Sequence, residues 1–325
     1  MFYFMQRERR KTKAYQTYLR RLKLSKPITN INELHKIIDK FDVAVVGSDQ
    51  VWNPQFLRYS DYAYLLPFKL SNTRKVAFSV SLGVDDLDDI SPKMLNMYKT
   101  CLHDFTFISL RERGHIPFLS KLINKEIYHT LDPTLLIEED LWRSLIPSIG
   151  LLKDEEYVLV YILNSDVFVD VWPLIKYFTS EECRYKVYVA SRMYPSTRGL
   201  LRFLHLLISP KYLKKLKFVG YIDPFEFLLL VKNAKYVVTN SYHGTIFSIM
   251  FEKQFVTVPV RGANIRILDL LYLLGLEDRF AQFASKYEAL RKLSKNIDYS
   301  TVKSALKLHR HRSFEFLKSA LEDSR

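Results

Sequence analysis

Short β-branched runs that stop at glycine or polar residues alternate with longer amphipathic runs throughout this chain. That alternation restricts the fold more than any other feature of the sequence. Asp42-Val43-Ala44-Val45-Val46 ends at Gly47-Ser48. Val76-Ala77-Phe78-Ser79-Val80 ends near Gly83, Phe105 to Leu110 forms a third run, and Ile127 to Leu131 a fourth. Continuous apolar runs of this length suit strands buried on both faces, as in a parallel sheet. Between the second and third runs, Met94, Leu95, Tyr98, Leu102 and Phe105 recur at helical spacing, which predicts a helix over Pro92 to Phe105. Strands separated by helices argue for an open, mostly parallel α/β sheet.

A second series follows. Tyr157 to Leu163, Lys186 to Ala190, Lys235 to Thr239 and Phe255 to Val258 read as strands, and Phe218 to Tyr221 as a short strand and a turn. Val167 to Phe178, Pro224 to Asn233 and Thr245 to Glu252 read as helices, the second with proline in its first turn. Leu141 to Glu156 carries Pro147 and Gly150 and reads as a link between domains. With 325 residues and roughly 100–200 residues per domain, two domains are expected. We place them at 1–150 and 151–285, with a helical tail over 286–325 whose amphipathic part runs from Val302 to Leu321.

The chain is basic, with 49 Lys+Arg against 35 Asp+Glu and a formal net charge of +14. Such a field favours anionic partners: phosphorylated small molecules, anionic lipid or nucleic acid. Two clusters stand near the ends, Arg7 to Lys13 and Lys307 to Arg312. Each reads either as a solvated helix face or as a foothold on an anionic membrane leaflet. Cys101 and Cys183 are far apart and outside any C-x-x-C pattern, which argues against a disulfide framework or structural zinc and fits a reducing cytoplasm. No secretory leader is expected from Met1 to Met5, and no stretch reaches the ~18 apolar residues of a spanning helix. P-loop and dinucleotide fingerprints, HExxH and clustered Cys/His spacing do not occur, so neither metal nor cofactor is expected. No nucleic-acid-binding module signature appears, which leaves charge alone as support for nonspecific nucleic-acid binding.

In open α/β sheets, ligands bind beyond the carboxyl ends of the strands. The first such loop is Gly47-Ser48-Asp49-Gln50-Val51-Trp52-Asn53-Pro54. It reads either as a polar binding loop through Ser48, Asp49 and Asn53 or as a capped turn anchored by Trp52. After the third strand, Arg111 stands beside Glu112, Arg113 and Gly114. A guanidinium there suits a carboxylate or phosphate, and a surface pair with Glu112 is the plain alternative. Asp132-Pro133-Thr134 reads as a structural turn. The most informative segment is Thr239-Asn240-Ser241-Tyr242-His243-Gly244-Thr245, joining a buried strand to a helix. A helix N-terminus there makes an anion site, in which His243 reads either as a proton donor to the anion or as a structural histidine. Arg261, Asn264 and Arg266 follow a strand of the same half and suit a basic pocket with it.

At these residues the chain resembles the polysaccharide pyruvyl transferase family. The matching stretches are Phe41 to Pro54 (FDVAVVGSDQVWNP), Lys75 to Gly83, Phe107 to Gly114 (FISLRERG), Leu131 to Leu136, Asn233 to Phe251 (NAKYVVTNSYHGTIFSIMF) and Arg261 to Arg279. They keep the family's order. The resemblance implies a GT-B-like fold of two Rossmann-like domains with a cleft between them, the first on the acceptor side and the second on the donor side. It implies transfer of pyruvate from phosphoenolpyruvate, a substrate rather than a cofactor, to a sugar of a cell-surface glycan, in capsule or exopolysaccharide assembly. The implied acceptor is a glycan or lipid-linked oligosaccharide at the inner membrane face, with peripheral contact to anionic lipid. One departure stands at the start: the family's opening strand and Asn-Tyr-Gly loop have no match in this basic segment, so we expect that strand to be missing.

By the same resemblance His243 is the general acid. Arg111 and Arg261 hold the donor's phosphate or carboxylate, with the N–H groups of Gly244 and Thr245 beside Ser241. Asp49 and Asn53 orient acceptor hydroxyls, Asp49 as candidate base. Three rival readings stay open: a nucleotide-sugar glycosyltransferase on a similar scaffold, a non-catalytic family member acting as a binding subunit, and nonspecific nucleic-acid binding.

Overall fold

The computed structural model describes residues 22–57, 62–146, 156–163, 165–191, 214–219, 222–260, 262–281 and 285–322. The chain forms two compact units. One holds the described residues of Ser25–Ile137, Arg261–Gly275 and Ser300–Arg325, the other those of Glu138–Val260 and Leu276–Tyr299. We call them the first and second unit.

In the first unit the elements run α1 (Ile31–Ile38), β1 (Val43–Val46), β2 (Arg74–Val80), α2 (Pro92–Leu102), β3 (Phe105–Leu110), α3 (Ile116–Ile123) and β4 (Tyr128–His129). The second unit contributes α4 (Glu139–Leu145), β5 (Tyr157–Ile162), α5 (Ser165–Thr179), β6 (Lys186–Ser191), β7 (Leu216–Phe218), α6 (Pro224–Asn233), β8 (Tyr236–Thr239), α7 (Tyr242–Met250) and β9 (Gln254–Thr257). The chain then gives α8 (Ile265–Leu273) to the first unit, α9 (Lys286–Ser294) to the second, and α10 (Tyr299–Glu322) to the first from Ser300 onward.

Both sheets are parallel. The first has the order β1-β2-β3-β4 and the second β7-β6-β5-β8-β9. This is the α/β class that the periodicity predicted. Local chemistry explains the element ends. Ser91 accepts from the N–H of Met94 at the start of α2, where Pro92 takes the first helical position. Asp223 and Glu226 close a reciprocal capping box on α6. The predicted helix over Pro92 to Phe105 ends at Leu102, because Phe105 already belongs to β3.

Strand β2 is buried almost throughout and has apolar cover on both faces. On one side Ala77 and Val80 meet a core with Trp52, Tyr98, Leu102 and Phe105. On the other, Val76 and Phe78 meet Phe316 and Ala320 of α10. The C-terminal helix is therefore not a separate tail. Phe316 packs at 6.1 Å from the rings of Phe78 and Phe107 and 5.4 Å from that of Tyr128. Main-chain contacts fasten it: Ser313 Oγ accepts from the N–H of Leu131 at 3.0 Å, and Arg74 donates to the carbonyls of Ala320 and Leu321. Helix α9 closes the second unit, where Ala289 and Leu293 join Val171, Ile175, Val187 and Val256. Periodicity alone reports that α10 is amphipathic; it does not report which sheet either helix covers.

Candidate functional site

Two groups of loops stand at carboxyl ends of strands, one in each unit. In the first unit, β1 runs into Gly47, with φ +140, and Asp49, with φ 75. A Cβ on Gly47 would lie 2.0 Å from the carbonyl oxygen of Phe78, so only glycine lets the two strands' ends approach this closely. Ser48 Oγ donates to the carbonyl of Ser79 at 3.0 Å, and Trp52 is wholly buried, with its Nε1–H donating to Tyr64. Trp52 is thus the anchor of the turn. Asn53 is also buried. Its amide donates to Gln50 Oε1 and its Oδ1 accepts from the N–H of Gln55, contacts that hold its own loop in shape.

Arg111, at the end of β3, is 4% exposed. Its guanidinium makes an ion pair with Asp132 at 2.7 Å, donates to Asp49 Oδ1 at 3.3 Å and also donates to Ser48 Oγ. Arg266 lies 3.5 Å from the same Asp49 oxygen. Charges therefore alternate along Asp132, Arg111, Asp49 and Arg266, from a buried carboxylate to one 60% exposed. A buried guanidinium with carboxylates on two sides acts first as a brace, and a substrate anion would have to compete with them. Asp132, read from the sequence as part of a turn, does both jobs: it accepts from the N–H of Thr134 and pairs with Arg111.

Glu112 is not a surface partner of Arg111. It is fully buried, and its Oε1 accepts from Ser81 Oγ and from the N–H of Gly83 at 3.2 Å, which joins β3 to the loop after β2. His115 is buried nearby. Burial pulls its pKa down, against the opposing pull of Glu112, Asp269 and Asp85. Asp85 accepts from the N–H of Ile265 at 2.8 Å and from Asn264 Nδ2 at 3.0 Å, and Asp269 accepts from the N–H of Gly114. These bonds hold α8 on the first unit. Asn264 and Arg266, read from the sequence as lying in the same half as His243, belong there with Asp49. Glu112, Asp85 and Asp269 escaped sequence reasoning because each serves a partner distant along the chain. The one available signal was Glu112 directly after a strand-end arginine.

In the second unit the strand order reverses between β5 and β8, the switch point at which α/β sheets open a ligand crevice. Asn240 Oδ1 accepts from the N–H of Leu163 at 2.8 Å and so ties the ends of those two strands together. Thr239 Oγ1 donates to the carbonyl of Tyr161 and accepts from the N–H of Ser241. Ser241 caps α7: its Oγ accepts from the N–H of Gly244 at 3.1 Å, and its carbonyl accepts from the N–H of Thr245 at 2.9 Å. The N–H groups of Gly244 and Thr245, expected to face a bound anion, are thus taken up by the helix's own cap. A Cβ on Gly244 would meet Thr239 Oγ1 at 2.4 Å, so this glycine sets how closely α7 approaches the sheet. His243 is the second residue of α7, half-buried, with its ring 5.6 Å from that of Tyr242. Arg261 lies outside the described residues.

A family model described as polysaccharide pyruvyl transferase matches residues 3–261 and so covers both groups of loops up to Val260. The chain belongs to the polysaccharide pyruvyl transferase family. None of the curated proteins compared with it matches. Among solved structures, a glycosyltransferase from Rickettsia africae is similar at 13% identity with a TM-score of 0.58, over 93% of this chain and 85% of that one. The UDP-GlcNAc 2-epimerase from Methanocaldococcus jannaschii is similar at 14% identity with a TM-score of 0.54, over 89% and 84%. At such identities the likeness concerns the fold, which is GT-B-like with Rossmann-like parallel sheets. No helix among the described residues is long and apolar enough to cross a membrane.

Proposed function

We propose that this family member transfers the pyruvyl group of phosphoenolpyruvate to two hydroxyls of a sugar, forming a pyruvate ketal. The sugar belongs to a cell-surface polysaccharide, in a capsule or exopolysaccharide, or to its lipid-linked precursor, and the chain works at the inner face of the plasma membrane. The observation that carries the reading is His243 in the first turn of α7, beside the switch point of the second sheet, inside the stretch that matches the family.

The chemistry needs one acid and two hydroxyls. Protonated His243 gives its proton to the methylene carbon of phosphoenolpyruvate, which becomes a methyl group. The adjacent carbon gains positive character, and the first hydroxyl oxygen bonds to it as that hydroxyl loses its proton. The bond from this carbon to the phosphate oxygen then breaks, and phosphate leaves with its electron pair. The second hydroxyl closes the ketal and loses its proton. One proton enters the methyl group, one leaves with hydrogen phosphate, and the charges balance. Asp49, exposed and oriented by Arg111 and Arg266, suits the acceptor hydroxyls as hydrogen-bond acceptor and base. Arg266 brings positive charge to the same loop edge.

The test is phosphate release from phosphoenolpyruvate with candidate glycan acceptors, for the parent chain and for His243→Ala. General-acid catalysis is worth about 10²–10⁴-fold, and a loss of that size with unchanged thermal stability is expected. Wild-type turnover by the variant removes His243 from the mechanism. Cleavage of a nucleotide sugar without consumption of phosphoenolpyruvate overturns the whole reading in favour of glycosyl transfer.

A further inference from the structure

The basic run Lys307 to Arg312 divides its side chains between different surroundings. Arg310 is spent on main chain, donating to the carbonyls of Leu135 and Ile137. Lys307 and His311 are exposed. His309 lies against His129 at the end of β4, with the two rings 6.2 Å apart and nearly perpendicular at 86°. Arg312, exposed on the same helix, and Arg113, exposed in the turn after β3, both act on these two imidazoles. Two imidazoles from separate segments of one unit therefore meet, within the electrostatic reach of two guanidiniums.

The charge there is one-sided. His129 is pushed down to about 4 by burial first, then by His309, Arg113 and Arg312, with a main-chain hydrogen bond at Arg111 opposing. His309 is pushed down by burial, then by Arg312 and Arg113. Among the described residues, Arg113 and Arg312 form no ion pair, whereas Asp132, three residues after His129, is held by Arg111. Burial first, and then these uncompensated cations, disfavour protonation of both imidazoles. A doubly charged anion would offset the part that the cations contribute. Two guanidiniums suit its oxygens in fork geometry, and each imidazole, once protonated, adds donors.

We propose that Arg113, His129, His309 and Arg312 form a binding site for a phosphate-class dianion, a phosphomonoester or a diphosphate, built from residues other than Asp49 and His243. The site stands apart from the proposed pyruvyl transfer and does not rest on it. Binding recruits protons to the imidazoles, so affinity rises as pH falls from 8 to 6 through the ordinary histidine range.

The test uses the full chain with pyrophosphate as probe, at constant ionic strength, and reads the imidazole carbon-bound proton signals of His129 and His309 by NMR. A saturable shift of both signals is expected, with at least about tenfold tighter binding at pH 6 than at pH 8, the effect of one pKa unit. The Arg113→Ala/Arg312→Ala double variant, altered only at exposed positions, loses the saturable shift while its other signals stay in place. No saturable shift up to about 10 mM, well beyond a ~1 mM dissociation constant, overturns the site. So does equal binding by the double variant. Vesicles containing phosphatidic acid, a phosphomonoester lipid, against phosphatidylcholine alone then name the source. Sedimentation with anionic vesicles that the double variant loses identifies a lipid headgroup, and pyrophosphate binding without vesicle preference identifies a soluble phosphorylated ligand. The readout needs no turnover, so a chain inactive towards phosphoenolpyruvate still tests this site.

Discussion

At the carboxyl end of the first sheet the loops are held by charge: Arg111 between Asp132 and Asp49, with Glu112 gathering Ser81 and Gly83. At the carboxyl end of the second sheet they are held by neutral hydrogen bonds from Thr239, Asn240 and Ser241. The first arrangement spends its arginine internally and presents a carboxylate, Asp49, outward. The second spends small polar side chains and leaves an imidazole half-buried at the start of a helix. Arg111, the residue whose chemistry most suits an anion, is thus a brace. Asp49, the carboxylate that the first arrangement presents, is oriented by it.

Removing the brace should have the largest effect. Arg111→Ala leaves Asp132 buried without its cation, and breaking such a pair costs about 3–5 kcal/mol, read as a lowered denaturant midpoint. An unchanged midpoint would mean that the charged network is ornamental and the contrast between the sheets false. Gly47→Ala should come next. Its Cβ would strike backbone, the Phe78 carbonyl, at a φ that side chains rarely adopt, so a loss of about 1–3 kcal/mol is expected in thermal unfolding. Gly244→Ala meets a side-chain oxygen instead and sharpens the comparison: the loss should be smaller, and Thr239→Ser should not rescue it, because the same oxygen remains. Ser241→Ala removes one neutral cap and should cost about 1 kcal/mol, with the amide of Gly244 exchanging faster.

The last expected effect is on the pH dependence of stability, and it shows only in acid. The folded pKa of His129 lies near 4, below the unfolded value of about 6.5. Between those values the unfolded chain binds a proton that the folded chain refuses, so stability falls as pH falls from 6.5 towards 4. His129→Gln should flatten that part of the profile. A profile of the same slope in the variant would locate the acid sensitivity elsewhere.

Much of the fold is legible in local pattern. Strands β1, β3, β5, β6 and β8 lie where β-branched runs predict them, because a parallel strand buried on both faces must be apolar throughout. The strand read over Ile127 to Leu131 is only Tyr128–His129, since Thr130 and Asp132 turn to side-chain bonding with Ser109 and Arg111. The strand–loop–helix around His243 was equally legible, because its cap, its glycine and its histidine are contiguous.

What the sequence determined by itself was the class of fold, the family and the contiguous loops, because periodicity and caps act over a few residues. What only the tertiary structure decided was membership across distance. Asp85 and Asp269 carry α8, with Asn264 and Arg266, to the first unit rather than to the half that precedes it in the chain. Phe316 and Arg310 bring α10 back onto the first sheet. Arg111 finds Asp132 and Asp49, and His129 finds His309. Each of these pairings depends on where a parallel sheet places residues tens or hundreds of positions apart, and no local propensity encodes it.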